Sequence, residues 1–141
     1  MNAFDYLPHR APALLITEVL DASASGSVCL ARVPAGSPFL DAGRFPAFLA
    51  LEMGAQGAAA GEASLASESG SDGTSPQAGF VVRIARARFA SPDLPADGDY
   101  RVVTALLRAA PPLRTWSCRV ELTGEVVAEA EISTFAGGTA E

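Results

Sequence analysis

The stretch Pro46-Ala-Phe-Leu-Ala-Leu-Glu-Met-Gly-Ala-Gln-Gly-Ala-Ala-Ala-Gly-Glu-Ala-Ser-Leu-Ala66 decides the fold, because it is helical in pattern and apolar or small on every side. A helix that is apolar around its whole circumference is buried. Each glycine within it costs about 1 kcal/mol relative to alanine, so we expect another element to lie close to the helix backbone. A sheet wrapped around the helix would provide that contact.

This helix is not predicted to cross a membrane. Glu52 and Glu62 interrupt it, and no stretch of the chain reaches the roughly 18 uncharged apolar residues that a span requires. The N-terminus has no basic run followed by an apolar one, which predicts a cytoplasmic protein without a signal peptide. We therefore expect the helix to lie inside a protein core.

Composition predicts one domain over residues 1–141 that buries more apolar surface than its own core needs. The chain has 49% hydrophobic and 18% charged residues, and the excess favours an apolar cavity or a subunit interface. Its formal charge of −6 argues against a nucleic-acid partner. Cys29 and Cys118 lack the spacing of metal or redox motifs, so we expect buried free thiols, no metal and no cofactor.

Strand-like patterns flank the helix on both sides. Two runs precede it and four follow it, at about 13–20, 27–33, 79–89, 99–109, 113–122 and 125–135. Thr123-Gly124 is typical of a hairpin turn, whereas residues 34–43 and 67–77 have the small, polar or Gly/Pro-rich composition of loops. This order predicts an α+β protein in which one antiparallel sheet curls around one long central helix, the hotdog fold.

Four patches of the sequence resemble the 3-hydroxyacyl-carrier-protein dehydratases, in the order in which that family has them. They are Tyr6-Leu-Pro-His-Arg-Ala-Pro12, Leu51-Glu-Met-Gly-Ala-Gln56, Ala87-Arg-Phe89 with Leu94-Pro-Ala-Asp-Gly-Asp99, and Gly124-Glu-Val-Val-Ala-Glu-Ala130. The opening is most similar to that of the dehydratase-like proteins of aryl-polyene pathways. The resemblance implies a hotdog protein that acts on a 3-hydroxyacyl thioester carried by an acyl-carrier protein.

One segment departs from the family pattern. The family places a catalytic histidine in G-H-F-P-G-H-P, whereas this chain has Gly43-Arg-Phe-Pro-Ala-Phe48. Arginine cannot accept a proton, because its pKa stays above about 12. We expect Arg44 to orient a thioester oxygen instead, and we assign Phe45, Pro46, Ala47 and Phe48 to the substrate site, with amides at the start of the helix facing the thioester carbonyl.

Glu52 matches the catalytic carboxyl of the family. Eliminating water needs an acid for the departing hydroxyl, and an apolar site favours the neutral form of a carboxyl that can act as one. The alternative is a structural role in which Glu52 and Gln56, one turn apart, bond each other or a loop backbone. We place both residues at the site, Glu52 as catalytic acid and Gln56 as a substrate contact.

His9 is the candidate base, since it is the only histidine in the chain. The Pro-His-Arg loop of related proteins lies near the acyl tunnel, so a base could act from there. A structural or surface role is the alternative for an isolated histidine.

Arg83, Arg86 and Arg88 lie on one predicted strand and are candidates for binding an acidic carrier protein. Solvated charges on an open sheet face are the alternative. Because a single hotdog sheet leaves an edge and an apolar margin, we expect a homodimer or a heterodimer with another hotdog chain.

Three functions are consistent with these residues. The first is a dehydratase that uses His9 as base and Glu52 as acid. The second is a non-catalytic subunit that binds the acyl chain or the carrier protein beside an active dehydratase. The third is a thioesterase in which the helical acid directs water.

Overall fold

The structure, a computed structural model, describes residues 13–68 and 80–135. This part of the chain forms one helix, with three strands before it and five after it. They are β1 (Ile16–Ser23), β2 (Gly26–Ala31), β3 (Arg44–Pro46), α1 (Leu49–Glu68), β4 (Phe80–Phe89), β5 (Asp93–Pro95), β6 (Tyr100–Ala110), β7 (Leu113–Leu122) and β8 (Glu125–Phe135).

Six of the strands form one antiparallel sheet in the order β1-β2-β6-β7-β8-β4. Helix α1 packs across one face of this sheet and contacts β1, β2, β6, β7 and β8. The short strands β3 and β5 pair with each other and form a separate two-stranded ribbon before the start of the helix. The predicted α+β hotdog architecture is confirmed.

The glycines of α1 explain how closely the helix lies on the sheet. A Cβ atom added to Gly61 would lie 2.6 Å from the Cβ of Ser27, and one added to Gly57 would lie 3.0 Å from Val102 Cγ1. The helix also buries Met53 fully against the core. The prediction that another element presses on the helix backbone is therefore confirmed, and the sheet supplies that element.

The predicted strands and turns agree with the structure to within a few residues. Thr123 and Gly124 have positive φ angles of 49° and 85° and connect β7 to β8, as expected for a two-residue hairpin loop. Helix α1 begins at Leu49 rather than at Pro46, because β3 occupies residues 44–46. Most of the predicted 67–77 loop lies outside the described residues.

The last strand of the sheet order, β4, pairs on one side only. It pairs with β8, and no strand formed by the described residues pairs with its other side. Its register with β8 shifts between Val81 and Arg83 and again between Ala85 and Arg88, and Arg86 has a positive φ of 55°. Strand β4 is therefore an irregular edge strand with two interruptions in its pairing.

Candidate functional site

An apolar cavity of about 510 Å³ opens beside the first turns of α1, between the helix, the loop before β3 and the edge of the sheet. Its lining residues are Ala13, Leu15, Ser37, Pro38, Phe39, Phe48, Leu49, Leu51, Glu52, Val81, Ile84 and Ile132. Glu52 is the one charged side chain among them, within the part of the chain that the structure describes. A cavity of this size and polarity suits an aliphatic or aromatic chain with one polar reacting group.

Glu52 lies in the first turn of α1, where the positive end of the helix dipole favours a carboxylate. Its Oε2 atom accepts a hydrogen bond of 3.0 Å from Nε2 of Gln56, one turn further along. Glu52 is half-buried, and its carboxyl reaches an otherwise apolar wall. The structure therefore brings the predicted acid to the cavity and gives it a fixed neighbour.

Gln56 connects this carboxyl to the chain segment that precedes β1. It is 1% exposed, and its Oε1 atom accepts hydrogen bonds from the amides of Leu15 (2.8 Å) and Ile16 (3.3 Å). Its Nε2 atom also donates to the Ala13 carbonyl at 2.8 Å. Gln56 thus uses both ends of its amide, and it lies behind Glu52 rather than in the cavity wall.

The chain segment that follows His9, the candidate base, lies beside the cavity. His9 itself lies outside the described residues. The segment that follows it, Ala13 to Ile16, is fastened to α1 by Gln56, and both Ala13 and Leu15 line the cavity. The role of His9 stays a prediction.

Arg44 lies in β3, and its guanidinium group is directed at the neighbouring strand. Its Nε atom bonds the carboxylate of Asp93, and a second nitrogen donates to the Asp93 carbonyl at 3.0 Å. Both side chains are about half exposed, and neither residue lines the cavity. In this arrangement Arg44 fastens the ribbon of β3 and β5, and its predicted contact with a thioester oxygen would require it to leave Asp93.

The residues after Arg44 divide between the core and the cavity. Phe45 is 1% exposed and packs edge to face on Tyr100, with ring centroids 5.6 Å apart. Ala47 is buried, and its amide donates to the Pro92 carbonyl at 2.9 Å, so that amide already has a partner. Phe48 lines the cavity, whereas Phe45, Pro46 and Ala47 are not among its lining residues.

Two aromatic rings stand at one side of the cavity. Phe39 and Phe48 pack edge to face with centroids 5.6 Å apart, and they are 45% and 52% exposed. The sequence predicts Phe48 at the site, whereas Phe39 falls in a predicted loop. The available signal is the pair Phe39-Leu40, the two large apolar side chains in a loop of otherwise small, polar or proline residues, because such side chains tend to cover apolar surface.

The arginines of β4 lie on the face of the sheet that is opposite the cavity. Arg83 pairs in register with Ser133 and Arg88 with Glu129, whereas Ile84 pairs with Ile132, and both isoleucines line the cavity. Directly paired residues of an antiparallel sheet point to the same face.

Two of these arginines already face carboxylates of β8. Arg86 lies 3.8 Å from Glu131 and Arg88 lies 3.5 Å from Glu129. The proposed role of all three in carrier-protein binding stays a prediction.

Two kinds of feature are absent from the described residues. No helix formed by them combines the length and hydropathy that a membrane crossing requires. Nowhere in residues 13–68 and 80–135 do three or more His, Cys, Asp or Glu side chains gather as they would around a metal ion.

Known structures share this fold at low sequence identity. A chain of the dehydratase heterocomplex ApeI:P from Xenorhabdus doucetiae superposes with a TM-score of 0.86 at 21% identity, over 99% of this chain and 93% of that one. A hypothetical thioesterase with coenzyme A from Streptococcus pneumoniae gives a TM-score of 0.63 at 12% identity, over 88% of each chain. AziG from S. sahachiroi gives 0.59 at 15% identity, over 84% and 89%. These likenesses support the hotdog fold.

The chain also matches a protein-family model. The model for the ApeP dehydratase matches residues 1–140. It therefore covers the segment that bears His9, the helix that bears Glu52 and every strand of the sheet. The chain belongs to the ApeP-like dehydratase family.

Proposed function

We propose that the protein eliminates water from a 3-hydroxyacyl thioester, delivered by an acyl-carrier protein, to give the trans-2-enoyl thioester. The observation that carries the proposal is the position of Glu52, whose carboxyl is held by Gln56 at the wall of a 510 Å³ apolar cavity. The cavity accommodates the acyl chain, and the carboxyl lies where the chain's one reactive polar group would be. Membership of a dehydratase family supports the same reaction class.

The reaction needs a base and an acid on the two sides of one carbon–carbon bond. The base removes a proton from C2, the bond between C3 and its oxygen breaks, and the acid transfers a proton to the departing hydroxyl, which leaves as water. We assign the acid to Glu52 and the base to His9, the one imidazole in the sequence. Both groups return to their starting state when the proton taken up by the base is passed to the acid, directly or through water.

The thioester carbonyl also needs donors while negative charge builds on its oxygen. The amides of Ala50 and Leu51 donate to the carbonyls of Ala47 and Phe48, and the Ala47 amide donates to Pro92. The amides of Phe48 and Leu49 precede these first bonds of the helix, and both residues line the cavity. We assign carbonyl binding to these two amides.

The test is an assay with a 3-hydroxyacyl-carrier protein, read by mass spectrometry as loss of one water from the acyl group. Wild type, Glu52→Gln and His9→Ala are compared with Glu62→Gln as the matched control. Glu62 is a partly buried carboxyl on the same helix, but it bonds Arg114 and does not line the cavity. We expect at least about a hundredfold loss of turnover for Glu52→Gln and His9→Ala, the usual size of an acid–base contribution, and near wild-type turnover for Glu62→Gln.

Two results would contradict this assignment. Full turnover by Glu52→Gln would remove the carboxyl from the mechanism. Release of free acid and free thiol by the wild type would show thioester hydrolysis instead, a reaction that a helical carboxylate directing water could support.

One observation favours a second candidate, a non-catalytic subunit that shapes the acyl site of a competent hotdog partner. Arg44 occupies the position of the family's histidine, and its guanidinium is bonded to Asp93 away from the cavity. Under this alternative the protein alone yields no enoyl product. A mixture with a partner dehydratase does turn over, and the Leu51→Trp substitution, which fills the cavity of this chain, changes the rate of that mixture.

A further inference from the structure

Ser37 is a second polar side chain in the wall of the cavity. Apart from Glu52, the other lining residues are Ala, Leu, Pro, Phe, Val and Ile. Ser37 lies in the loop before β3 and is only 8% exposed. The cavity therefore brings one carboxyl and one hydroxyl, from two different segments of the chain, to an otherwise apolar space.

The loop holds the Ser37 hydroxyl in one place. The Ser37 amide donates to the Pro34 carbonyl at 3.0 Å, and the Ser37 carbonyl accepts from the Leu40 amide at 3.3 Å. The Oγ atom of Ser37 accepts from the Phe39 amide at 3.2 Å. These three bonds fix both the backbone and the side chain of Ser37, and the ring of Phe39 packs on Phe48 in the same wall.

The proton of this hydroxyl has no acceptor within the described part of the chain. A serine hydroxyl can donate one hydrogen bond and accept two. The Oγ atom of Ser37 accepts from Phe39, but it donates to no group in residues 13–68 and 80–135. A buried donor without an acceptor costs free energy and calls for an explanation. A hydrogen-bond acceptor on a ligand in the cavity would supply one.

The polar groups of a 3-hydroxyacyl thioester lie at C1 and C3. The amides of Phe48 and Leu49 are assigned above to the carbonyl at C1. The hydroxyl oxygen at C3 has two lone pairs, and Glu52, as the proposed acid, protonates only one of them. In an apolar cavity the other lone pair needs a second donor, and Ser37 offers one.

We propose that Ser37 is a specificity-determining residue, which donates a hydrogen bond to the 3-hydroxyl of the acyl chain and so makes the cavity select hydroxylated chains. The inference rests on the proposed function, since it names a substrate contact of the same site. A site built to bond a substrate hydroxyl disfavours an analogue that lacks it, because the polar groups of the site are then unpaired. The enoyl product lacks the hydroxyl too, so the same contact favours substrate over product.

The test uses two pantetheine amides, one of 3-hydroxyoctanoic acid and one of octanoic acid. The amide nitrogen replaces the thioester sulphur, which lowers the acidity of the C2 protons, so elimination is too slow to consume the ligand. Isothermal titration calorimetry gives the affinity of the full chain for each amide, and the result is the ratio of the two affinities. A substitution that only loosens the loop weakens both ligands alike and leaves this ratio unchanged.

We expect the wild type to bind the hydroxylated amide at least about tenfold more tightly, a difference of about 1.4 kcal/mol. Ser37→Ala should lower the ratio by about fivefold, as expected for the loss of one hydrogen bond. Ser37→Thr, which keeps the hydroxyl, should restore the ratio to within about twofold of wild type. Gly36→Ala is the control in the same loop and should leave both affinities unchanged, because a Cβ added there meets no atom within 4 Å.

Three results would overturn the inference. They are a wild type that binds both amides equally or binds neither, a Ser37→Ala variant with the wild-type ratio, and a Ser37→Thr variant with the same ratio as Ser37→Ala. Neither amide is turned over, so a chain that fails the dehydration assay can still show the selectivity. Conversely, enoyl formation by the wild type with an unchanged ratio in Ser37→Ala would remove Ser37 and leave the proposed reaction in place.

Discussion

Nε2 of Gln56 lies 3.0 Å from Oε2 of Glu52. The hydrogen bonds of the Gln56 amide oxygen fix the orientation of the amide group. Its Oε1 atom accepts from two backbone amides, and only an oxygen can do so. The nitrogen must therefore face Glu52 and donate to Oε2. In the acid form this bond favours a proton on the other carboxyl oxygen, Oε1, because Oε2 already accepts from Gln56.

Replacing Gln56 by methionine keeps the side-chain length and removes these bonds. We expect the free energy of unfolding to fall by about 1–3 kcal/mol, because the Leu15 amide and the Ala13 carbonyl lose their buried partner. Urea unfolding measures this loss. Met53→Leu, a volume-conserving change at a fully buried position of the same helix, is the control and should cost less than about 1.5 kcal/mol.

The turnover of Gln56→Met shows whether Gln56 positions the Glu52 carboxyl or only stabilises the fold. If Gln56 fixes the protonated oxygen of Glu52, the pH profile of turnover shifts in Gln56→Met and not in Met53→Leu. An unchanged profile with lowered stability would mean that Gln56 only holds the segment before β1.

Gly61→Ala should destabilise the protein although alanine is the better helix former by about 1 kcal/mol. The new Cβ would lie 2.6 Å from the Cβ of Ser27, and overpacking of this kind costs about 1–3 kcal/mol. In a Ser27→Gly background the clash disappears, so there the same change should be neutral or stabilising. Gly36→Ala, which meets no atom within 4 Å, should be close to neutral in both backgrounds.

Stability should depend on pH through Glu62. Burial raises the pKa of its carboxyl above 4.5, and the charge and hydrogen bond of Arg114 act against that rise. The folded protein thus holds the proton to higher pH than the unfolded chain does. Its contribution to stability is full below pH 4.5 and is lost as the pH rises through the raised pKa of the folded state.

Denaturant unfolding at a series of pH values measures this dependence. Glu62→Gln should remove this pH dependence. Arg114→Gln should move it to higher pH, because Arg114 no longer lowers the pKa of Glu62. A wild-type pH dependence that persists unchanged in Glu62→Gln would assign it to another group.

The two cysteines should resist alkylation in the native protein. Both are buried free thiols, as the sequence predicted, and burial raises the pKa of Cys29 to about 11 and that of Cys118 to about 12. At neutral pH both are almost wholly in the unreactive thiol form. Iodoacetamide followed by mass spectrometry should give no label in native protein and two labels after denaturation, and rapid native labelling would contradict the described packing.

The sequence predicted the fold well because its decisive signals are local. The apolar and small residues on every side of α1, the strand-like runs of β6 to β8 and the turn at Thr123-Gly124 are each signals carried by a few neighbouring residues. The strands β3 and β5 were not predicted, because three residues are too few for a periodic signal and their pairing joins positions about fifty residues apart.

The site was predictable only in part for the same reason. Glu52 and Gln56 lie one turn apart on a helix, so their contact follows from helical geometry. The bond between Arg44 and Asp93, and the contribution of Val81 and Ile84 to the cavity, depend on how distant segments come together. Nothing in the local sequence marks those positions.

The stripe of Gly54, Gly57 and Gly61 also limits where a ligand can extend. At these three glycines the helix backbone lies directly on Cys118, Val102 and Ser27, so a ligand cannot pass between helix and sheet there. Under the proposed reaction, an acyl chain longer than the cavity would extend past Leu51 and Ile84, toward β4. Under that proposal, the longest acyl chain accepted would be set at the edge of the sheet beside β4 and not by the packing of the helix on the sheet.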